Sequence, residues 1–176
     1  NELIVDLLAF SRAGRLALKK TEFSLNNLVN EIKEECAYGY SEYNIDWHIS
    51  NLPSVIADKN MMKLVMTNLI TNAIKFSGEK DKINITISSQ FNNNEVIVST
   101  KDNGIGFPQE YSEKIFEVFQ RLHKSSEFEG TGIGLANVSR IVNRHGGRVW
   151  AESEPNKGST FYFSLPNTQR EIFNER

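Results

Sequence analysis

Apolar residues recur at helical spacing in several parts of the chain and predict five helices. The predicted helices cover residues 1–18, 25–38, 59–76 and 108–119, and a last one follows Leu135 and ends at His145. The helix at 59–76 is the most informative of them. Its apolar stripe lies roughly 110° around the helix axis from a polar stripe that contains Asn68, Asn72 and Lys75.

Alternation of apolar and polar residues predicts seven short strands. Their predicted bounds are 21–24, 45–49, 54–57, 82–90, 95–100, 148–152 and 160–165. Ser24 and Asp58 each stand just before a helix and are predicted N-caps. The strands come in hairpins and the helices in separate blocks. This order predicts an α/β (α+β) two-layer sandwich, in which helices pack on one face of a mixed, mostly antiparallel sheet.

The first predicted helix has an apolar stripe of Leu3, Ile4, Leu7 and Leu8 with no evident partner nearby. It is typical of one helix of a hairpin or coiled coil, and a first helix of the domain core is the alternative. We therefore expect three parts. They are a helix at 1–18, a folded domain at 19–166 and a polar tail at 167–176.

Composition and charge narrow the function classes. A length of 176 residues suits one domain with an appendage. The formal net charge of -2 gives no reason to expect a nucleic-acid partner. Cys36 is the one cysteine, so a disulfide within the chain and a cysteine-based zinc site are excluded. No apolar run reaches the ~20 residues that span a bilayer, so we expect no direct membrane contact and a cytoplasmic location.

A glycine-rich segment at 130–134 precedes the last predicted helix. Glycines let backbone N–H groups face a ligand, and a helix N-terminus favours an anion. The spacing fits neither the Rossmann nor the Walker phosphate motif. Alone, the segment is equally well explained as a flexible loop at a helix start.

Two further polar groups have a chemical interpretation. Asp102 follows a predicted strand and could accept a hydrogen bond from the exocyclic amine of adenine, with Gly104 and Gly106 allowing close approach of the backbone. Asn72 offers a neutral oxygen that Mg²⁺ tolerates, and Lys75 offers a charge for phosphate. Taken singly, a tight turn and a solvated helix face explain these residues better.

Four motifs in a fixed order resemble the nucleotide boxes of sensor histidine kinases. Residues 68–77 resemble the N box, 102–107 the G1 box, 115–121 the F box and 130–135 the G2 box. The resemblance covers about residues 58–165. The resemblance implies the catalytic ATP-binding domain of a Bergerat-type kinase, with ATP and Mg²⁺ as cofactors.

The resemblance also implies residue roles. Asn72 would bind Mg²⁺, Asn68 and Lys75 would support the phosphates, and Asp102 would bind the adenine amine. The implied nucleotide contacts also include Gly104, Gly106, Phe119, Arg121, Lys124, Gly130, Thr131, Gly132, Gly134 and Leu135. Residues 122–129 would form a mobile lid in which His123 assists. Val118 and Gln120 stand where many members have proline and an aromatic residue, which leaves the packing of the lid open.

The phosphoacceptor histidine of the family lies on a helical hairpin N-terminal to this domain. Residues 7–12 resemble the end of its second helix, and the sequence begins with Asn1 rather than Met. We expect His145 to be a helix C-terminal residue, where the dipole favours a cation. We therefore expect this chain to bind Mg-ATP without phosphorylating itself on the native histidine. The implied partners are its own hairpin in a homodimer and a response regulator.

Three other functions are compatible with parts of the sequence. A gyrase-like, mismatch-repair-like or chaperone-like ATPase needs a general base, and that family places Glu where Asn68 stands. A serine kinase of the anti-sigma type is disfavoured by the hairpin-like residues 7–12. A degenerate binding module is disfavoured because all four boxes look intact.

Overall fold

The computed structural model describes residues 17–78, 80–92, 94–120, 122 and 130–167. The predicted helix at 1–18, most of the predicted lid and the polar tail lie outside the described residues. The strands are β1 (Thr21–Ser24), β2 (Ile45–Ile49), β3 (Ser54–Ala57), β4 (Ile83–Asn92), β5 (Glu95–Asp102), β6 (Val149–Glu154) and β7 (Gly158–Pro166). The helices are α1 (Leu25–Gly39), α2 (Lys59–Ser77) and α3 (Gly134–Arg144).

The predicted sheet is confirmed. Five strands pair in the order β2-β4-β5-β7-β6, and β1 pairs with β3 in a separate two-stranded sheet. The β2–β4 pair is parallel, whereas the β4–β5, β5–β7 and β6–β7 pairs are antiparallel. This register places Asp102, at the end of β5, opposite Ile85 of β4.

One face of the large sheet is covered by helices. Helix α2 contacts β4, β5 and β7, and α3 contacts β6 and β7. Alternate residues of the strands point into this core, including Ile85 and Ile87 of β4 and Phe163 of β7, which are fully buried. The intervening residues lie on the other face, where the hydroxyls of Ser88 and Ser99 bond at 2.7 Å.

The helix starts follow the predicted capping pattern. Ser24 Oγ accepts a hydrogen bond from Asn27 N at the start of α1, and Asp58 Oδ1 accepts one from Met61 N at the start of α2. Cys36 is buried in α1, and burial raises the pKa of its thiol. Among the helices that the structure describes, none has the length and apolar character needed to span a lipid bilayer.

The predicted helix at 108–119 is wrong. The segment forms two short 3-10 helices, Gln109–Tyr111 and Lys114–Phe116. Ile115 is the one buried residue of these two turns, so a long helix here would have little apolar surface to bury. The side chain of Gln109 instead binds β6, accepting from Ser153 N at 2.8 Å and donating to Ala151 O at 3.0 Å.

The predicted charge on His145 is also wrong. His145 does cap the end of α3, but it is only 3% exposed, and burial lowers its pKa. Its Nε2 accepts a hydrogen bond from Asp58 N, and its Nδ1 lies 2.8 Å from Ile141 O. Nδ1 therefore carries the proton of a neutral ring, because an acceptor nitrogen cannot be protonated. Burial outweighs the helix dipole here.

Candidate nucleotide site

Three of the predicted motifs meet at one end of α2. Ile105 N, in the loop after β5, donates to Phe76 O at 3.0 Å. A Cβ added at Gly134 would lie 2.6 Å from Asn68 Oδ1, and a Cβ added at Gly130 would lie 3.0 Å from Lys75 Nζ. The polar stripe of α2 therefore faces the glycine-rich segment, and the Asp102 loop closes the end of the helix.

Asp102 is the most unusual side chain of the site. It is 4% exposed, and its Oδ1 accepts hydrogen bonds from Gly104 N at 2.8 Å and Ser159 N at 3.1 Å. Burial raises its pKa to about 6, because it outweighs these two donors, which lower it. Both donors bind Oδ1 and neither binds Oδ2, so the carboxylate is fixed with one oxygen left to face a ligand.

The amide of Asn68 is oriented by its own helix. Its Nδ2 donates to Leu64 O at 2.8 Å, so Oδ1 is the end of the amide that faces Gly134. Asn72 lies one turn further along α2 on the same side of the helix and is half-buried. An oriented acceptor beside a half-buried amide is compatible with a hydrated cation.

The glycine-rich segment adopts a backbone that favours glycine. Gly132 has φ +73°, and its carbonyl accepts a hydrogen bond from Phe119 N at 3.0 Å. Helix α3 then begins at Gly134 without a side-chain cap. Its first backbone N–H groups therefore remain available to an anionic ligand. Phe119 has φ +65° and is 60% exposed at the edge of the site.

A family model described as "Histidine kinase-, DNA gyrase B-, and HSP90-like ATPase" matches residues 57–169. The chain belongs to this family. It is 36% identical over 171 residues to the adaptive-response sensory kinase SasA of Crocosphaera subtropica, which covers 94% of this chain and 44% of SasA. The chain spans 22% of the length of its cyanobacterial phytochrome relatives.

Solved histidine kinases have the same fold. The catalytic domain of ThkA is 33% identical, with a TM-score of 0.72 over 85% of this chain and 96% of that domain. Full-length ShkA in complex with AMPPNP is 29% identical, with a TM-score of 0.78 over 94% of this chain and 35% of ShkA. ThkA in complex with the response regulator TrrA is 29% identical, with a TM-score of 0.74 over 97% of this chain and 48% of ThkA. The chain is thus a histidine kinase-type ATP-binding domain.

Three of the predicted site residues of this kinase-type domain lie near one another's motifs. Asn68 and Lys75 lie beside the glycine-rich segment. Asp102 precedes the loop whose Ile105 N donates to Phe76 O of α2. Arg121, His123 and Lys124 lie outside the described residues.

Sequence reasoning missed part of the site. Ser159 supplies one of the two donors to Asp102, and Ser153 supports the same loop. Neither serine lies in a motif, and Ser153 stands 46 positions from Phe107 and Ser159 57 positions from Asp102. The one local sign of this contribution in the sequence is the Gly158-Ser159 pair, which follows a polar turn.

The described residues hold no group of three or more His, Cys, Asp or Glu side chains that could bind a metal ion. The described part of the site offers a cation the amide oxygens of Asn68 and Asn72, beside water and ligand phosphates. Such a ligand set fits Mg²⁺, which keeps several waters and binds phosphate oxygens.

Gly104→Ala is expected to lower the affinity for ATP about tenfold and the free energy of unfolding by about 2 kcal/mol. A Cβ at this position would lie 2.4 Å from Phe76 O and 2.9 Å from Asp102 Oδ1, so the loop must move. Gly39→Ala is the matched control, because a Cβ there meets nothing within 4 Å. Calorimetric titration and thermal unfolding of both variants measure the effects. Equal behaviour of the two variants would contradict this geometry.

Proposed function

We propose that this domain binds Mg-ATP and, in the whole protein, transfers the γ-phosphoryl group to a histidine of its own helical hairpin. The phosphoryl group then passes to a response-regulator aspartate. The observation that carries the proposal is the buried Asp102 carboxylate at the end of β5, fixed by two backbone donors. ShkA is solved with AMPPNP and ThkA with the response regulator TrrA, which supports both the nucleotide and the partner.

The residues divide by the part of ATP that they meet. Asp102 accepts from the adenine amine, and Gly104 and Gly106 give the ring access to the loop backbone. Asn68 and Lys75 face the phosphates together with the backbone of the glycine-rich segment. Phe119 and Leu135 close the site from the lid side, and the family motifs assign Arg121 and Lys124 to ATP binding. The domain at 19–166 carries these groups, and residues 1–18 belong to the hairpin.

The reaction is a displacement at phosphorus. An imidazole nitrogen of the acceptor forms the new P–N bond, the bond from the γ-phosphorus to the β–γ bridging oxygen breaks, and ADP leaves. Mg²⁺, when bound, neutralises charge on the phosphate oxygens, and the Asn72 amide oxygen is the side-chain group that would hold it. The domain itself contributes position and charge, through Lys75 and the backbone N–H groups at the start of α3.

Hydrolysis of ATP by water is the less favoured outcome. A water-activating base is needed for it, and the residue at the relevant position is Asn68, whose amide does not accept a proton at neutral pH. The Nδ2 bond to Leu64 O further fixes this amide as an oriented acceptor. The site is therefore suited to a nucleophile that another part of the protein supplies, namely the acceptor histidine.

Asn72→Ala is expected to remove the gain in ATP affinity that Mg²⁺ gives, a loss of about tenfold. Calorimetric titration of a non-hydrolysable ATP analogue, with Mg²⁺ or with chelator, measures it. Asn143→Ala, at an exposed position of α3, is the control. No binding by the folded wild-type chain would refute the function.

The phosphotransfer itself is tested on the full-length protein with γ-labelled ATP. We expect label on a histidine, in an acid-labile and base-stable linkage, and no native labelling of this chain alone. Steady release of phosphate without a phosphorylated histidine would replace the kinase with an ATPase.

A further inference from the structure

We propose that the β6–β7 hairpin is a positioning element of the nucleotide site, and that Ser153 is its central residue. This hairpin, residues 149–166, would hold the Asp102 carboxylate in the orientation that reads the base. The inference rests on the proposed function, because it concerns how Asp102 meets ATP. Ser153 and its neighbours touch the loop rather than the nucleotide, so they are positioning residues.

The start of β7 contacts the end of β5 directly. Ser159 N donates to Asp102 Oδ1 at 3.1 Å, in a buried environment. Gly158 has φ +97°, and a Cβ there would lie 2.2 Å from Asp102 O. The backbone of the hairpin thus contacts both the side chain and the carbonyl of the base-reading residue.

The turn of the hairpin holds the next part of the loop. Asn156 N donates to Ile105 O at 2.6 Å, while Ile105 N donates to Phe76 O on α2. Gly106 has φ +61°, and a Cβ there would lie 2.1 Å from Glu154 O. Both backbone groups of Ile105 are therefore used, one by the helix and one by the hairpin, and the loop is fixed between them.

The Ser153 hydroxyl is the centre of this contact. It accepts a hydrogen bond from Phe107 N at 2.8 Å and donates to Gly158 O at 3.1 Å. Its oxygen also lies 2.9 Å from Ser159 Oγ. A hydroxyl has one proton and two lone pairs, so Ser159 must be the donor in that third bond. The hydroxyl of Ser153 then has all of its hydrogen-bonding capacity satisfied.

Removing this hydroxyl has a defined consequence. Phe107 N and Gly158 O lose their partner, so the loop and the start of β7 separate. The Ser159 donor on Asp102 Oδ1 is then weakened, and the carboxylate rotates more freely. Adenine recognition needs one carboxylate oxygen aimed at the amine, whereas guanine carries an acceptor at that position and gains nothing from Asp102.

The test compares Ser153→Ala with Ser88→Ala in the full chain. The control removes a hydroxyl-to-hydroxyl bond of the same sheet, from Ser88 to Ser99, on the face away from the helices. We expect Ser153→Ala to bind the ATP analogue about tenfold more weakly and the GTP analogue unchanged. Ser88→Ala should keep both affinities, and Ser153→Thr should restore most of the ATP affinity.

The pH dependence gives a second readout that a general loss of stability does not move. The backbone donors on Asp102 lower its pKa, so weakening one of them raises it. The pH at which ATP binding is half lost should therefore move upward in Ser153→Ala. The pKa shift of Asp102 comes from burial and the two backbone donors. The charged side chains of the surrounding elements, which include Lys75 of α2, Lys101 of β5 and the Glu154–Lys157 ion pair of the hairpin, are all retained in the variant.

Two results would overturn the inference. One is unchanged ATP affinity and pH profile in folded Ser153→Ala; the other is an equal loss for ATP and GTP without a pH shift. Either leaves the proposed function intact, because that function fails only if the wild type does not bind ATP or if the full-length protein releases phosphate without labelling a histidine. If Ser153→Ala does not fold, Gln109→Ala is the second variant, because it removes the exposed hydrogen bond that Gln109 Oε1 accepts from Ser153 N. It should lower the ATP affinity about threefold. No effect there would equally overturn it.

Discussion

Asp102→Asn is expected to weaken ATP binding about 100-fold while making the folded domain more stable at neutral pH. An amide can replace one function of the carboxylate but not the other. Its Oδ1 can still accept from Gly104 N and Ser159 N. Its Nδ2 then faces the ligand, and two donors, the amide and the adenine amine, meet without an acceptor.

The gain in stability follows from the raised pKa of Asp102. Its ordinary value is 3.8 and burial raises it to about 6 in the folded chain. A carboxyl group with a raised folded pKa stabilises the fold fully below its unfolded pKa, and this stabilisation is lost as the pH rises through about 6. At neutral pH the buried charge costs about 3 kcal/mol, of which Asn is expected to recover 1–2 kcal/mol.

Thermal unfolding and calorimetric titration over a range of pH measure both effects. The wild type should lose ATP affinity as the pH falls through about 6, because the protonated carboxyl presents a donor. The melting temperature of Asp102→Asn should exceed that of the wild type by a few degrees at neutral pH. Asp46→Asn is the control, since the Asp46 side chain is 35% exposed and paired with Lys82. A less stable Asp102→Asn at neutral pH would contradict the buried charge.

Much of the fold follows from local periodicity. The prediction of a helix at 59–76 agrees closely with α2 at Lys59–Ser77, because its apolar stripe is the face that packs on the sheet. Strand β4 runs two residues further than predicted toward the turn that joins it to β5. Strand β5 runs two residues further than predicted toward the site and ends at Asp102. The prediction of a helix at 108–119 failed because hydrogen bonds between Gln109 and β6 set the conformation of this segment. No local sequence pattern indicates those bonds.

The candidate site divides in the same way. The motif residues were predicted through a resemblance, and the structure places Asn68, Lys75 and the Asp102 loop around one end of α2. The hairpin contribution was missed because Ser153 and Ser159 act across long separations in sequence through a hydroxyl and a backbone N–H. Backbone donors leave almost no mark in a single sequence.

His145→Leu is expected to lower the free energy of unfolding by about 3–4 kcal/mol. The ring accepts from Asp58 N at 3.1 Å, so its loss leaves this buried backbone N–H without a partner. It also removes the 2.8 Å bond from the ring to Ile141 O, which keeps only the bond from the backbone N of residue 145. Asp58 also caps α2 through Met61 N and accepts from Lys19 N at 3.0 Å. The substitution therefore loosens a junction between the end of α3, the start of α2 and the chain that enters the domain.

The pH dependence distinguishes this junction from simple packing. Burial lowers the pKa of His145 below 6.5, Lys20 and Arg144 lower it further, and Ile141 O and Asp58 oppose them. A histidine with a lowered folded pKa stabilises the fold above its ordinary range, and this stabilisation is lost as the pH falls through the folded pKa. The difference in melting temperature between wild type and His145→Leu, about 10 °C at neutral pH, should therefore shrink as the solution is acidified. His48→Leu, at an exposed position of β2, is the control and should change little. A difference that stays constant with pH would mean that His145 contributes volume alone, because a neutral ring held by Asp58 N must give up that bond when it is protonated.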